Sequence, residues 1–245
     1  MGMIPEAHGQ RLTFYAGGLY EGLVVMRDRE TRSVWNHITG ECLKGGLAGV
    51  RLPLVPLLHF SAEDAHGRYP TAHLAYSRLT LFQRVVAFFT EANRVYAGRF
   101  FFPFFKKTLS TIDRRRPSWE LGLGVWVEGA DGVASARYYP KKTLRRLDRS
   151  GRGLIDELSG RKLMVYYDGR SGIPGAILLS APDVREATQA RRDDDGIVLD
   201  TGAVFREGSL YDTGGAPLFA PRPMQLFTRW YGFAATFPGC DVYGE

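Results

Sequence analysis

The stretch Lys162-Leu-Met-Val-Tyr-Tyr-Asp168 is the clearest β-strand signal in the chain. It is short, apolar and aromatic, and it runs into Asp168-Gly169, a pair typical of a tight turn. The apolar segment from Gly175 to Ser180 follows that turn and is the expected partner strand. This region therefore predicts a β-hairpin, and a hairpin of this kind needs further strands to bury its apolar face.

Other parts of the chain predict further short strands. The 29 glycines and 13 prolines among 245 residues favour strands joined by tight turns over a helical bundle. Residues 11–26 predict two strands separated by glycines, and residues 121–127 and 134–139 predict one strand each. Hydrophobic residues at 44% and charged residues at 24% are ordinary for a folded protein. The sequence predicts a mainly β (α+β) fold.

Short helices are expected at two similar places. Ser61 can cap a helix that ends near Tyr69-Pro70, with Glu63 and Asp64 in its first turn. The apolar segment 224–237 predicts a packed helix that ends at Pro238. The charged segment 183–195 is expected to be a solvated loop. Each helix follows glycine-separated strands, so we predict two related β-rich halves.

Charge divides the chain into three parts. Residues 1–75 hold seven basic and seven acidic side chains, and residues 119–245 hold sixteen basic and seventeen acidic ones. Residues 76–118 hold nine basic and two acidic side chains, so this segment accounts for the whole net charge of +6. We predict a first half over 1–75, a basic aromatic insert over 76–118 and a second half over 119–245, with a single compact domain as the alternative.

The insert combines aromatic and basic residues. Residues 79–97 have the spacing of an amphipathic helix, and the run Phe100-Phe-Phe-Pro-Phe-Phe105 follows it. The helix could pack on the sheet, or the segment could contact an anionic membrane surface or protein partner. The basic residues for such a contact are Lys106, Lys107, Arg114, Arg115 and Arg116. No nucleic-acid-binding signature accompanies them, so nucleic acid is an unfavoured partner.

A second candidate site surrounds His37. All five histidines lie within the first 73 residues, and His37 has Glu41 and Cys42 close to it in sequence. Imidazole, carboxylate and thiolate can act as metal ligands or as acid and base. The spacing matches no zinc pattern, so a metal is not predicted. We group Trp35 with these three residues as candidate binding residues.

Established cofactor signatures are missing from the sequence. It holds no phosphate loop, dinucleotide fingerprint or nucleophile elbow, so the cofactor stays open. The two cysteines, Cys42 and Cys240, have no spacing typical of a disulfide framework. No secretory signal and no apolar run of about 18 residues is visible. A cytoplasmic location is expected, with peripheral membrane contact as the open alternative.

One block resembles a known family. Asp28-Arg-Glu-Thr-Arg-Ser-Val-Trp35, continued by Thr39-Gly-Glu-Cys42 and Gly46-Leu-Ala-Gly49, is similar to the signature of the bacterial and archaeal family called domain of unknown function 3179. Trp230-Tyr-Gly-Phe233 resembles its second-half ending. The resemblance implies no established activity. It also implies a cysteine-containing strand upstream of the first block, and this chain starts after that point.

Three functions follow as hypotheses. The sequence favours a non-catalytic binding or accessory module, because no catalytic constellation stands out. The alternatives are a metal-dependent or histidine-dependent enzyme with its site near His37, and a peripheral membrane protein that acts through residues 76–118.

Overall fold

The computed structural model describes residues 2–57, 59–73, 80–81, 84–85, 108–109, 111–128, 134–194 and 196–245. Within these ranges strands predominate and the helices are short, which confirms the predicted mainly β fold. Most of the insert 76–118 lies outside the described residues, including the phenylalanine run and most of the helix predicted over 79–97.

The first half consists of small antiparallel sheets. Its strands are β1 (Gly2–Met3), β2 (Glu6–Ala7), β3 (Gln10–Arg11), β4 (Phe14–Tyr20), β5 (Leu23–Asp28), β6 (Val34–Asn36), β7 (Cys42–Lys44) and β8 (Leu54–Val55). Strands β4 to β7 form a four-stranded meander, β2 pairs with β3, and β1 pairs with β8. The short helix α1 (Ala62–Arg68) follows, and the side chain of Ser61 caps it by accepting a hydrogen bond from the Asp64 backbone N–H.

Between residues 119 and 245, the described strands form three sheets. Its strands are β9 (Leu121–Glu128), β10 (Ala134–Pro140), β11 (Leu154–Leu158), β12 (Arg161–Asp168), β13 (Ile173–Leu178), β14 (Ala190–Asp193), β15 (Gly196–Leu199), β16 (Val204–Arg206), β17 (Ser209–Tyr211), β18 (Pro217–Leu218), β19 (Met224–Arg229) and β20 (Asp241–Val242). The strand orders are β19-β9-β10-β20, β11-β12-β13 and β14-β15-β16-β17-β18. The predicted hairpin is present as β12 and β13.

Three helices lie in the described residues of the range 119–245. They are α2 (Lys141–Arg149), α3 (Pro182–Arg185) and α4 (Trp230–Thr236). The solvated loop expected over 183–195 contains part of α3 and strand β14 instead. Pro182 stands at the first turn of α3, where its missing N–H costs no hydrogen bond.

The helix predicted over 224–237 is wrong for its first six residues. Met224–Arg229 forms β19, which pairs antiparallel with β9 along its whole length, and only Trp230–Thr236 is helical. Pairing with a central strand satisfies the backbone groups of β19 and overrides the local preference. The apolar residues that suggested a helix are therefore divided between a strand and a helix.

Two glycines in β9 allow aromatic rings to approach the backbone. A Cβ on Gly122 would lie 2.5 Å from Cζ of Tyr138, and a Cβ on Gly124 would overlap the ring of Phe233. The sequence suggests that these glycines weaken the strand, whereas in the structure they make room for the core. The same aromatic cluster contains Ile38 and contacts Leu23 from the first half, so the two halves share apolar packing.

Helix length bears on the membrane hypothesis. In the part of the chain that the structure describes, no helix is long and apolar enough to cross a membrane.

Candidate functional site

One buried carboxylate organises the block that carries the family resemblance. Asp28 is fully buried and accepts hydrogen bonds from Nε1 of Trp35 at 2.8 Å, from the Ser33 backbone N–H at 3.0 Å and from the hydroxyl of Thr31 at 2.8 Å. The backbone N–H of Thr31 also donates to it. Burial raises the pKa of Asp28, but these hydrogen bonds together lower it below its ordinary value. The block therefore forms a turn that fixes Trp35 in the core.

Two of the four candidate binding residues meet inside that core. Trp35 and Cys42 are cross-strand partners in β6 and β7, are 0% and 2% exposed, and belong to one apolar cluster with Leu12 and Leu52. Burial raises the pKa of the Cys42 thiol. The thiol is therefore protonated at neutral pH and makes only a weak contact to the Lys44 carbonyl at 3.6 Å.

The other two residues of that group have different neighbours. Burial lowers the pKa of His37, although its hydrogen bond to the Val24 backbone raises it, and its Nδ1 is buried without a partner. Glu41 forms an ion pair at 3.6 Å with Arg51. In the described ranges, no three His, Cys, Asp or Glu side chains are grouped so that they could hold a metal ion.

The basic residues predicted for an anionic surface have different environments. Lys106 and Lys107 lie outside the described residues, and Arg114 is exposed. Arg115 forms an ion pair with Asp113 at 2.8 Å, and it also donates to the Cys240 carbonyl at 3.0 Å. Arg116 pairs with Glu120 and with Glu245. Arg115 and Arg116 thus attach residues 113–120 to the end of the chain.

A cleft of about 980 Å³ lies beside α1. Glu63, Gly67 and Arg68 of α1 line one side, and the β12–β13 hairpin and the β16–β17 turn line the other. The volume lies at the upper end of the range for small-molecule sites, roughly 300–1,000 Å³. The cleft could therefore enclose a ligand larger than a single inorganic ion. We call it the α1 cleft.

Buried polar contacts hold the floor of the α1 cleft. Gln225 is 2% exposed, and its side-chain amide bonds the backbone N–H and carbonyl of Ala176 at 2.8 and 3.1 Å. The ring of Tyr166 packs on Phe205 with 4.6 Å between centroids. Gln225, Tyr166 and Phe205 are therefore held in place by contacts within the protein.

Two arginines near the rim have carboxylate partners. Arg170, in the turn after β12, pairs with Glu63 of α1 at 3.0 Å, and both side chains are well exposed. Arg192 pairs with Asp148 at 2.5 Å and donates to the Tyr167 carbonyl at 2.8 Å. These contacts join elements of the protein and leave little positive charge free at this end.

Two other arginines converge on the β16–β17 turn. Arg68 of α1 donates to the carbonyl of Glu207 and to the hydroxyl of Ser209 at 3.3 Å. Arg222 donates to the Gly208 carbonyl at 2.8 Å, and it also contacts the Tyr166 hydroxyl at 3.3 Å. Both interact with neutral oxygens.

Arg206 completes this group. Its guanidinium lies over the ring of Tyr211, 4.6 Å from the centroid. Among the described residues, none of the carboxylates forms an ion pair with Arg68, Arg206 or Arg222. We refer to these three residues as the arginine group.

Sequence reasoning missed the arginine group because its members are far apart along the chain. Arg68 ends α1, Arg206 ends β16, and Arg222 precedes β19. None of them belongs to a basic run, and the halves that contain them are nearly neutral overall. Gly208 lies between two strand-like segments and so predicts a turn. It does not predict which arginines contact that turn.

The fold and the cleft define a β-rich protein in which a short helix and adjacent sheets enclose a ligand-sized space. The chain belongs to the family described as Protein of unknown function (DUF3179), whose sequence profile matches residues 3–175. This match confirms the family resemblance. No curated protein and no solved structure matches the chain. The matched range contains Arg68, whereas Arg206 and Arg222 lie beyond it.

Proposed function

We propose that this protein is a non-catalytic binding module that holds a small organic molecule in the α1 cleft. The observation that carries the proposal is the cleft itself, about 980 Å³ in volume and lined by aromatic rings, arginines and a buried amide. Binding sites for small molecules combine apolar walls with a few fixed polar groups in this way.

The attachment of α1 supports a binding role. None of its residues is buried, and polar contacts from Glu63 and Arg68 connect it to the second half. A wall held in this way can adjust to a ligand at little cost to the core. The opposite wall belongs to paired strands, so it provides the fixed side of the site.

The state of the thiols favours binding over nucleophilic catalysis. Cys42 and Cys240 are both buried, and burial raises the pKa of Cys240 to about 11. Neither cysteine lines the α1 cleft. The nucleophilic form of cysteine is the thiolate, so both thiols are in their unreactive form at neutral pH.

A cleft-filling substitution tests the proposal. A side chain on Gly67 would enter open space beside the cleft, because nothing lies within 4 Å of its Cβ position. We expect Gly67→Trp to abolish the rise in Tm that the wild type shows with cleft ligands from a panel of sugars, amino acids, organic acids and nucleotides. Gly46→Trp is the matched control, since Gly46 is exposed on the first half with equally open space around it.

The outcomes separate binding from its alternatives. Stabilisation by a panel compound in wild type and Gly46→Trp, but not in Gly67→Trp, supports the proposal. Equal stabilisation of all three proteins, or of none, contradicts it. Each stabilising compound is also incubated with the protein and recovered, and chemical conversion would contradict the non-catalytic part.

A further inference from the structure

We propose that the α1 cleft binds a phosphate-bearing organic molecule and that Arg68, Arg206 and Arg222 hold its phosphate group. This inference rests on the proposed binding function and names the class of ligand.

The central observation is the approach of two guanidinium groups to one glycine. A Cβ on Gly208 would lie 2.8 Å from Nη1 of Arg68 and 3.5 Å from Nη2 of Arg222. No described carboxylate pairs with either group. Since 2.8 and 3.5 Å add to 6.3 Å, the two nitrogens are no more than 6.3 Å apart. Like charges that close repel each other, and an anion between them would relieve the repulsion.

The donors that remain suit phosphate better than carboxylate. A guanidinium carries five N–H donors in a planar fork, and Arg68 and Arg222 use only some of theirs on Glu207, Ser209, Gly208 and Tyr166. Arginine forks match the several oxygens of a phosphate and bind them in pairs. A carboxylate offers only two oxygens to three arginines.

The acidic residues of the cleft do not cancel this preference. Glu63 pairs with Arg170, Asp64 bonds the Ser61 hydroxyl at the start of α1, and Asp168 bonds Ser171 in its turn. Asp194 and Glu207 also line the cleft. Basic and acidic residues are equally numerous over the whole lining. None of the described carboxylates forms an ion pair with the arginine group, so its remaining N–H donors are available to an anion.

The rest of the cleft indicates an organic ligand rather than free phosphate. The volume of about 980 Å³ exceeds what a phosphate group needs, and the lining includes the rings of Phe60, Tyr166 and Tyr211. Aromatic faces stack on sugar or base rings. A phosphate ester with a ring, such as a sugar phosphate or a nucleoside monophosphate, fits both parts.

Titration calorimetry with simple probes tests this assignment. The probes are adenosine 5′-monophosphate, glucose 6-phosphate, inorganic phosphate, neutral adenosine and the carboxylate glucuronate. We expect at least one phosphate ester to bind tighter than inorganic phosphate, adenosine and glucuronate by about tenfold or more, because each charged hydrogen bond is worth about a factor of ten. Arg222→Gln, Arg68→Gln and Arg206→Gln should each weaken that binding by about tenfold.

Arg161→Gln is the matched control. Arg161 is exposed at the start of β12, away from the cleft lining, so its substitution changes the net charge equally and should leave affinity unchanged. An equal loss in Arg161→Gln would show non-specific attraction and overturn the assignment. Circular dichroism of each variant checks that the fold is retained. Because three separate positions are changed to Gln, the test still works if one of these variants does not fold.

The two proposals fail in different ways. One outcome is that a neutral compound or a carboxylate binds, that Gly67→Trp blocks this binding and that the Gln variants do not weaken it. In that case the cleft is a binding site, but the phosphate assignment is wrong. If neither phosphate ester binds measurably, the phosphate assignment also falls. If no compound binds in the cleft at all, both proposals are wrong.

Discussion

Helices α1 and α4 have the same length and the same ending but opposite surroundings. Each has seven residues and ends at an aromatic residue before proline: Tyr69 with φ −131° and ψ 71°, and Phe237 with φ −124° and ψ 75°. In both, the N–H of that aromatic residue bonds the carbonyl four residues earlier. Yet α1 buries none of its residues, whereas α4 buries Trp230, Phe233 and two small residues.

The difference shows that one helix ending can serve two purposes. Apolar contacts fix α4 in the aromatic cluster of the core, so its loss would disturb the whole fold. Polar contacts hold α1 against the cleft, so we expect local opening of α1 to have little effect on global stability. The five predictions below test this contrast, from the largest expected effect to the smallest.

Phe233→Ala should have the largest effect. Phe233 is 0% exposed and packs against Tyr138, Trp126 and Phe237. We expect the free energy of unfolding to fall by about 3–5 kcal/mol, because a large cavity replaces the ring. Urea denaturation measures this loss. Phe219→Ala, at a position 80% exposed, is the control and should change stability by less than about 0.5 kcal/mol.

Asp28→Ala should have the second-largest effect on stability. The contacts of Asp28 are polar like those of α1, but they are buried like those of α4. The change leaves Nε1 of Trp35 and two backbone N–H groups without their acceptor, at a cost of about 3 kcal/mol. The comparison is made by urea denaturation at pH 7, with exposed Glu186→Ala as the control.

The same residue predicts a pH dependence. The folded-state pKa of Asp28 is lowered, so its contribution is fully present above the unfolded value near 3.9 and is lost as pH falls through the folded value. Stability measured from pH 6 down to pH 2 should fall less steeply in Asp28→Ala than in wild type. Identical slopes in the two proteins would contradict this role.

Replacing one glycine by alanine in each helix should stabilise the exposed helix α1 but not the buried helix α4. A Cβ on Gly67 of α1 meets nothing within 4 Å, whereas a Cβ on Gly232 of α4 would lie 3.1 Å from Cδ2 of Leu23. Alanine favours helix over glycine by about 1 kcal/mol, and crowding offsets that gain in α4. Hydrogen exchange should slow in α1 of Gly67→Ala, and Gly232→Ala should show no comparable gain.

Breaking the exposed ion pair of α1 should have the smallest effect. Glu63→Gln removes the partner of Arg170, and both side chains are largely exposed. Solvent screens such pairs, so we expect Tm to change by no more than about 1 °C. Hydrogen exchange within α1 should nevertheless become faster. A drop in Tm comparable to that of Phe233→Ala would mean that α1 is part of the main core.

Features encoded by neighbouring residues could be predicted from the sequence. Ser61 caps α1 as expected, and Lys162–Asp168 pairs with the segment after its turn as expected. Met224–Arg229 could not be identified as a strand, because its partner β9 lies a hundred residues earlier and only pairing with it decides the outcome.

The candidate site was harder to predict than the fold. The closeness of His37, Glu41 and Cys42 in the sequence suggested a site there, but in the structure the neighbouring block is organised by Asp28, which accepts a hydrogen bond from Trp35. The arginine group depends on tertiary contacts between α1 and the β16–β17 turn. Its positive charge does not appear in the net charges of residues 1–75 and 119–245, because carboxylates elsewhere in those ranges balance it.

Because position 208 has no side chain, a substitution there can change where positive charge lies in the cleft. Gly208 has φ +77°, a backbone conformation that glycine adopts readily, and a methyl group there would press on Nη1 of Arg68. A single added methyl group would thus displace the end of the Arg68 side chain, whereas Arg222, at 3.5 Å, could stay in place. We therefore expect Gly208→Ala to move the positive charge contributed by α1 away from that contributed by the segment before β19.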